Sequence, residues 1–129
     1  MNKILVEVSV GELLDKISIL EIKKEKIKES EKLQFINDEY KVLKDQLDKN
    51  VKFDEKIDKL FQSLKEINAK LWIIEDDKRL CEKNSDFSEK FIKLSRDVHF
   101  LNDNRAKIKL EINHHTGSKI KEIKKYTTY

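Results

Sequence analysis

Proline is absent from this chain, and only two glycines, Gly11 and Gly117, occur in 129 residues. A protein built from strands and tight turns needs both residue types in quantity, so the shortage argues against a sheet fold. Cysteine is nearly absent too. Cys81 stands alone, which rules out an intrachain disulfide and makes a cytoplasmic protein the expectation. No apolar run approaches the ~18 residues of a membrane span, and the N-terminus shows no signal-peptide pattern. There is no phosphate-binding glycine loop, no dinucleotide glycine fingerprint and no Cys/His zinc spacing. A nucleophile with a paired histidine is not visible. No catalytic residue, cofactor or metal site is therefore expected.

What the chain does have is charge and rhythm. Charged residues make up 41% and hydrophobic residues 38%, a composition that suits long solvated helices. Apolar residues recur every three or four positions. Ile57, Leu60, Leu64, Ile67, Leu71 and Ile74 form one stripe. Phe91, Leu94, Val98, Leu101, Ile108 and Ile112 form another, with Arg105 in the place of a missing apolar residue. Such spacing puts side chains on one side of a helix, and the stripes argue against disorder. The expectation is one all-α domain over residues 1–129, an antiparallel four-helix bundle of coiled-coil-like hairpins.

Ser9 and Glu12 form the S-x-x-E capping box, with Val8 and Leu13 placed as a hydrophobic staple. A first helix should run from Val10 to about Lys28. Ser30 would cap a second, carrying Leu33, Ile36, Tyr40, Leu43 and Leu47. Residues 50–54 read as a loop, and a third helix should reach about Lys83. Asn84 and Ser85 make a turn. Asp86 with Glu89 suits the start of a fourth helix, ending near His115 with Gly117 as a left-handed cap. Residues 4–8 alternate like a strand, and residues 120–126 could pair beside them.

The last two helices would be the longer pair. Their hairpin tip, about residues 71–98, should project past the first two and carry exposed apolar side chains. Trp72, Ile73, Phe87 and Phe91 are the candidate interface residues, because exposed patches of this kind mark contacts. A homodimer is expected, with a further protein partner as a possibility. Residues 105–129 hold seven Lys or Arg against two Glu, +5, which leaves −2 of the net +3 for the rest. A basic tail can attract phosphates, but helix 4 offers few aromatics on its basic side, and nucleic acid is not the expected partner.

Of 28 basic residues only Arg79, Arg96 and Arg105 are arginine. Arg96 points away from the stripe. Arg79 follows Glu75 by four residues and can pair with it. Arg105 occupies a core position, where a lone charge would cost several kcal/mol. Counting levels along ideal hairpins puts it beside Glu21. The expected polar layer is Glu21, Asn68, Asn102 and Arg105, with Lys24 and Lys109 at its edge. It either fixes register or clamps a small anion. His114 and His115 are adjacent and face different directions, so a helix-end role is expected of them. Asp76 and Asp77 read as solvated surface.

The run Val6 to Leu20, the block Leu71-Trp-Ile-Ile-Glu-Asp-Asp77, and the stretches Leu101-Asn-Asp, Arg105-Ala, Glu111-Ile-Asn113 and Gly117-Ser118 resemble a bacterial and phage family of unknown function. The resemblance implies a small helical protein and assigns no role. It draws attention to Ser9, Gly11, Glu12, Asp15, Lys16, Trp72, Glu75, Asp76, Asn102, Arg105 and Asn113. The run from Leu101 to Ile112, followed by Gly117-Ser118, is also similar to one helix of the helical chorismate mutases. That likeness implies a polar site inside the bundle that clamps a dicarboxylate. It covers one helix, at the wrong end of the chain, with too few arginines. The leading expectation is a non-enzymatic, homo-oligomeric interaction or scaffold protein. The alternative is a small-anion-binding enzyme using the Arg105 layer.

Overall fold

A computed structural model describes residues 3–119 and 127–128. Four helices follow one another: α1 (Val10–Lys26), α2 (Ser30–Asn50), α3 (Glu55–Lys83) and α4 (Glu89–Thr116). Among the described residues there is no strand, and the helices pack as an all-α bundle.

Each boundary has a local cause. Ser9 Oγ accepts from the Glu12 amide at 3.0 Å and starts α1. The other half of the capping box is not made. The Glu12 carboxylate turns to Lys109 on α4, 2.6 Å away, because a cation there outcompetes a neutral amide. Asp54 caps α3 through the Ile57 amide at 2.8 Å. Glu29, one residue before the expected Ser30, is the α2 cap position and makes no side-chain cap bond. Ser88, not Asp86, precedes α4, while Asp86 accepts from the Ser88 amide at 3.1 Å. Gly117 closes α4 at φ 68°, a left-handed conformation that glycine adopts without strain.

The helix α1 is central. It packs against each of the other three, whereas the α2 backbone approaches α1 alone among the described residues. The physical reason is visible in each helix face. Leu13, Leu14, Ile17, Leu20 and Ile22 bury most of the circumference of α1, while α2 fully buries only Ile36 and Leu47 and leaves Phe35 and Val42 exposed. A narrow apolar face covers one neighbour, so α2 flanks α1 rather than closing a square of four. The core joins Leu13, Leu14, Ile17, Leu47, Ile57, Phe61, Leu64 and Ile112.

Two sequence expectations change. Residues 4–8 form no strand. Ile4 and Leu5 are 87% and 90% exposed, and without a partner strand their amides gain nothing from the extended alternation. The expected partner, residues 120–126, lies outside the described residues. The α3–α4 hairpin does carry exposed apolar side chains, namely Ile73, Leu80, Phe87, Ile92 and Phe100. Its helices hold 29 and 28 residues against 17 in α1, roughly 42 Å against 26 Å. Among the described residues no helix is long and apolar enough to cross a membrane.

Candidate functional site

The polar residues of the core converge on Asp15 of α1, whose side chain is 2% exposed. Arg105 grips this carboxylate with two nitrogens, Nε to Oδ1 at 3.0 Å and Nη2 to Oδ2 at 2.6 Å. Asn68 of α3 donates to Oδ1 at 2.8 Å and also to Ser18 Oγ at 2.8 Å. Ser18 in turn donates to the Asp15 carbonyl at 2.7 Å. Lys109 Nζ stands 3.9 Å from Oδ2. Burial alone would push the Asp15 carboxyl up. The hydrogen bonds from Arg105 and Asn68, with the charges of Arg105 and Lys109, outweigh it and hold the group below its ordinary value. Among the described residues no fully enclosed side-chain nitrogen or oxygen lacks a partner.

Sequence counting placed Glu21 in this layer, and the structure places Asp15 there. Asn68 and Asn102 do meet this network, Asn102 through a long 3.4 Å contact from Arg105 Nη1. Glu21 lies elsewhere, accepting from Tyr40 Oη at 3.2 Å and pairing with Lys65 at 3.2 Å. Lys24 covers the Tyr40 ring at 4.1 Å rather than edging the Arg105 layer. The level count ran through ideal hairpins from α4 to α1, and α2, whose backbone packs on α1 and not on α3 among the described residues, breaks that run of levels. A signal for Asp15 was present. Gly11, Asp15, Ser18 and Ile22 lie on one strip of α1, away from the charged side formed by Glu12, Lys16 and Lys23, so Asp15 falls on a face that packs.

The same three helices meet at the start of α1. Its first free amides are satisfied from two directions: Val10 by Ser118 Oγ at 3.3 Å, Gly11 by Asn113 Oδ1 at 2.7 Å, and Glu12 by Ser9. Gly11 permits this approach. A Cβ there would sit 2.6 Å from the Lys109 carbonyl oxygen. His115 bonds Asp54 at 2.6 Å, tying the end of α4 to the cap of α3.

Beside Arg105 opens a groove of about 350 Å³, lined by Ile19, Asn68, Leu71, Trp72, Glu75, Asp76, Arg79 and Arg105. Glu75 and Arg79 share its wall but make no ion pair with each other among the described residues. Both are exposed, where such a pair gains too little to fix two long side chains. Trp72 is half-buried in the groove. On the hairpin, Ile73 and Phe87 are exposed, and Phe91 packs edge-on to Phe87 with ring centres 5.5 Å apart. A second groove of about 360 Å³, lined by Lys70, Ile73, Ile74, Asp97, Phe100 and Leu101, runs between α3 and α4. Among the described residues no three His, Cys, Asp or Glu converge as metal ligands.

A family of unknown function, DUF6165, matches residues 4–129. The chain belongs to DUF6165. Both the buried Asp15–Arg105 centre and the Trp72 groove fall within the stretch that defines its DUF6165 membership. No curated protein and no solved structure matches the chain.

Proposed function

We propose that the protein is a helical interaction module that pairs with a second copy of itself through the open face of the α3–α4 hairpin. The observation that carries this reading is the groove between Ile73, Ile74, Phe100 and Leu101, which no other helix lines. Ile73 and Phe100 are 51% and 40% exposed, and Leu80, two turns beyond Ile73 on the same side, is 54% exposed. Together they make an apolar patch on the order of 300 Å², comparable to the largest patch of a typical monomer, which is often functional. Charge complementarity selects a second copy as the occupant. Lys70 and Asp97 flank the groove with opposite signs, so a two-fold axis brings each against the other in the partner. Lys70 would there share Asp97 with Lys93, the solvent-exposed lysine that holds it at 2.7 Å within the chain. A cytoplasmic location is in keeping with the single buried cysteine.

Sedimentation velocity over a concentration series tests this. The chain is expected to sediment as a dimer, and Ile73→Asp as a monomer of unchanged helical content. Lys70→Asp should weaken the dimer, and adding Asp97→Lys to it should restore pairing. A monomer at every concentration, or a dimer indifferent to Ile73→Asp, overturns the reading.

A small-anion site has one observation in its favour, the groove beside Arg105. The guanidinium there already carries the Asp15 carboxylate on two nitrogens. Its charge is matched within the chain, so a dicarboxylate clamp of the chorismate mutase kind has no support from this geometry.

A further inference from the structure

We infer that the groove beside Arg105 binds a small primary amine with an apolar body, its ammonium group facing Asn68, Glu75 and Asp76 and its chain lying on Trp72. The site is separate from the hairpin face that we assign to pairing.

The first support is Asn68. This side chain is only 5% exposed, and both of its recorded hydrogen bonds are made by the amide nitrogen, to Asp15 and Ser18. Its carbonyl oxygen has no hydrogen-bond partner among the described residues, yet no fully enclosed polar atom is left unpaired. The oxygen is therefore not fully enclosed, and the groove is the open space that Asn68 lines. A nearly buried acceptor held at the wall of a groove calls for a donor from outside.

The second support is charge. Asp15 neutralises Arg105 at 2.6 Å. Of the remaining wall charges, Glu75 and Asp76 oppose one cation, Arg79. The groove is thus left with one negative charge in excess, and a cation fits it where an anion does not.

The third support is the lining. Ile19, Leu71 and Trp72 give the groove an apolar floor on which a hydrocarbon chain can lie. The volume of about 350 Å³ lies at the small end of the ~300–1,000 Å³ range of small-molecule sites. A primary amine satisfies all three features, because it brings N–H donors, one positive charge and a hydrocarbon chain.

Trp72 is the only tryptophan in the chain, so its fluorescence reports on this groove without interference. Titration with hexylamine is expected to change Trp72 emission saturably. Hexanoate, which reverses the charge on the same chain, and hexanol, which carries none, should bind at least ten-fold more weakly. Glu75→Gln with Asp76→Asn leaves the buried network intact and should weaken hexylamine about ten-fold, without shifting the denaturation midpoint. Absence of a saturable response to hexylamine overturns the inference. So does binding of hexanoate or hexanol as tightly as the amine, or hexylamine binding unchanged in the double variant. Tighter binding of Nα-acetyl-lysine methylamide than of hexylamine would transfer the groove to a lysine of a partner protein, and would overturn the small-molecule assignment. Sedimentation in the presence of hexylamine separates this test from the pairing reading, since either can fail while the other stands.

Discussion

Asp15 and Arg105 are each answerable for the other. A carboxylate that is 1% exposed as a residue survives as a charge only because Arg105, Asn68 and Lys109 surround it. Arg105→Met should therefore cost about 3 kcal/mol, the low end for breaking a buried pair, since Asn68 and Lys109 remain. The pH dependence has a defined sign. The folded carboxyl titrates below its ordinary value. Its contribution is complete above the unfolded value of about 3.9 and is lost as the pH falls through the folded one. In Arg105→Met, burial works against a weaker set of partners and the Asp15 carboxyl moves up. The deficit relative to the parent should then be largest at neutral pH and should shrink in mild acid, where the variant's Asp15 protonates. Urea denaturation of both chains at the two conditions checks this, and a deficit independent of pH would refute the assignment of Asp15 as the partner.

The elements are joined mainly by α1. Its N-terminal turn is capped from α4 and beyond by Asn113 and Ser118, and its glycine lets the α4 backbone come close. Gly11→Ala separates two opposing effects. Alanine favours a helix over glycine by about 1 kcal/mol, but its Cβ would meet the Lys109 carbonyl at 2.6 Å and Asn113 Oδ1 at 3.0 Å. The contact is with backbone, which cannot rotate away, so the clash should prevail. We expect a net loss of about 1–3 kcal/mol by thermal or chemical denaturation, whereas a stabilised variant would show that α1 can move off α4 freely. The capping box teaches a related lesson. Ser9 and Glu12 were legible from four residues of sequence, and the Ser9 half forms. The Glu12 half was redirected to Lys109, ninety-seven positions away, which local spacing cannot reveal.

At the scale of the whole molecule, stability is unevenly distributed. The core lies where α1 meets α3 and α4, around Leu14, Ile17, Leu64 and Ile112. Toward the turn at 84–88 the hairpin exposes Leu80, Phe87 and Ile92, and little apolar surface supports its backbone there. Amide hydrogen exchange should therefore be slowest around Leu14, Leu64 and Ile112 and fastest near the turn. Protection around Ile73 and Phe100 should rise with protein concentration if two copies pair there. Uniform protection along α3 would contradict this distribution.

Periodicity, with the capping and turn residues between the stripes, determined four helices, their approximate ends, the left-handed cap at Gly117 and the need for Arg105 to find a partner. All of these follow from interactions three or four residues apart, which a helix makes whatever surrounds it. The tertiary structure decided that the partner is Asp15 and not Glu21, that α2 stands outside α1, and that a groove opens beside Trp72. Those outcomes depend on how helices cross and on which faces are wide enough to cover a neighbour. Crossing geometry is set by side chains distant in sequence, so no count along the chain fixes it.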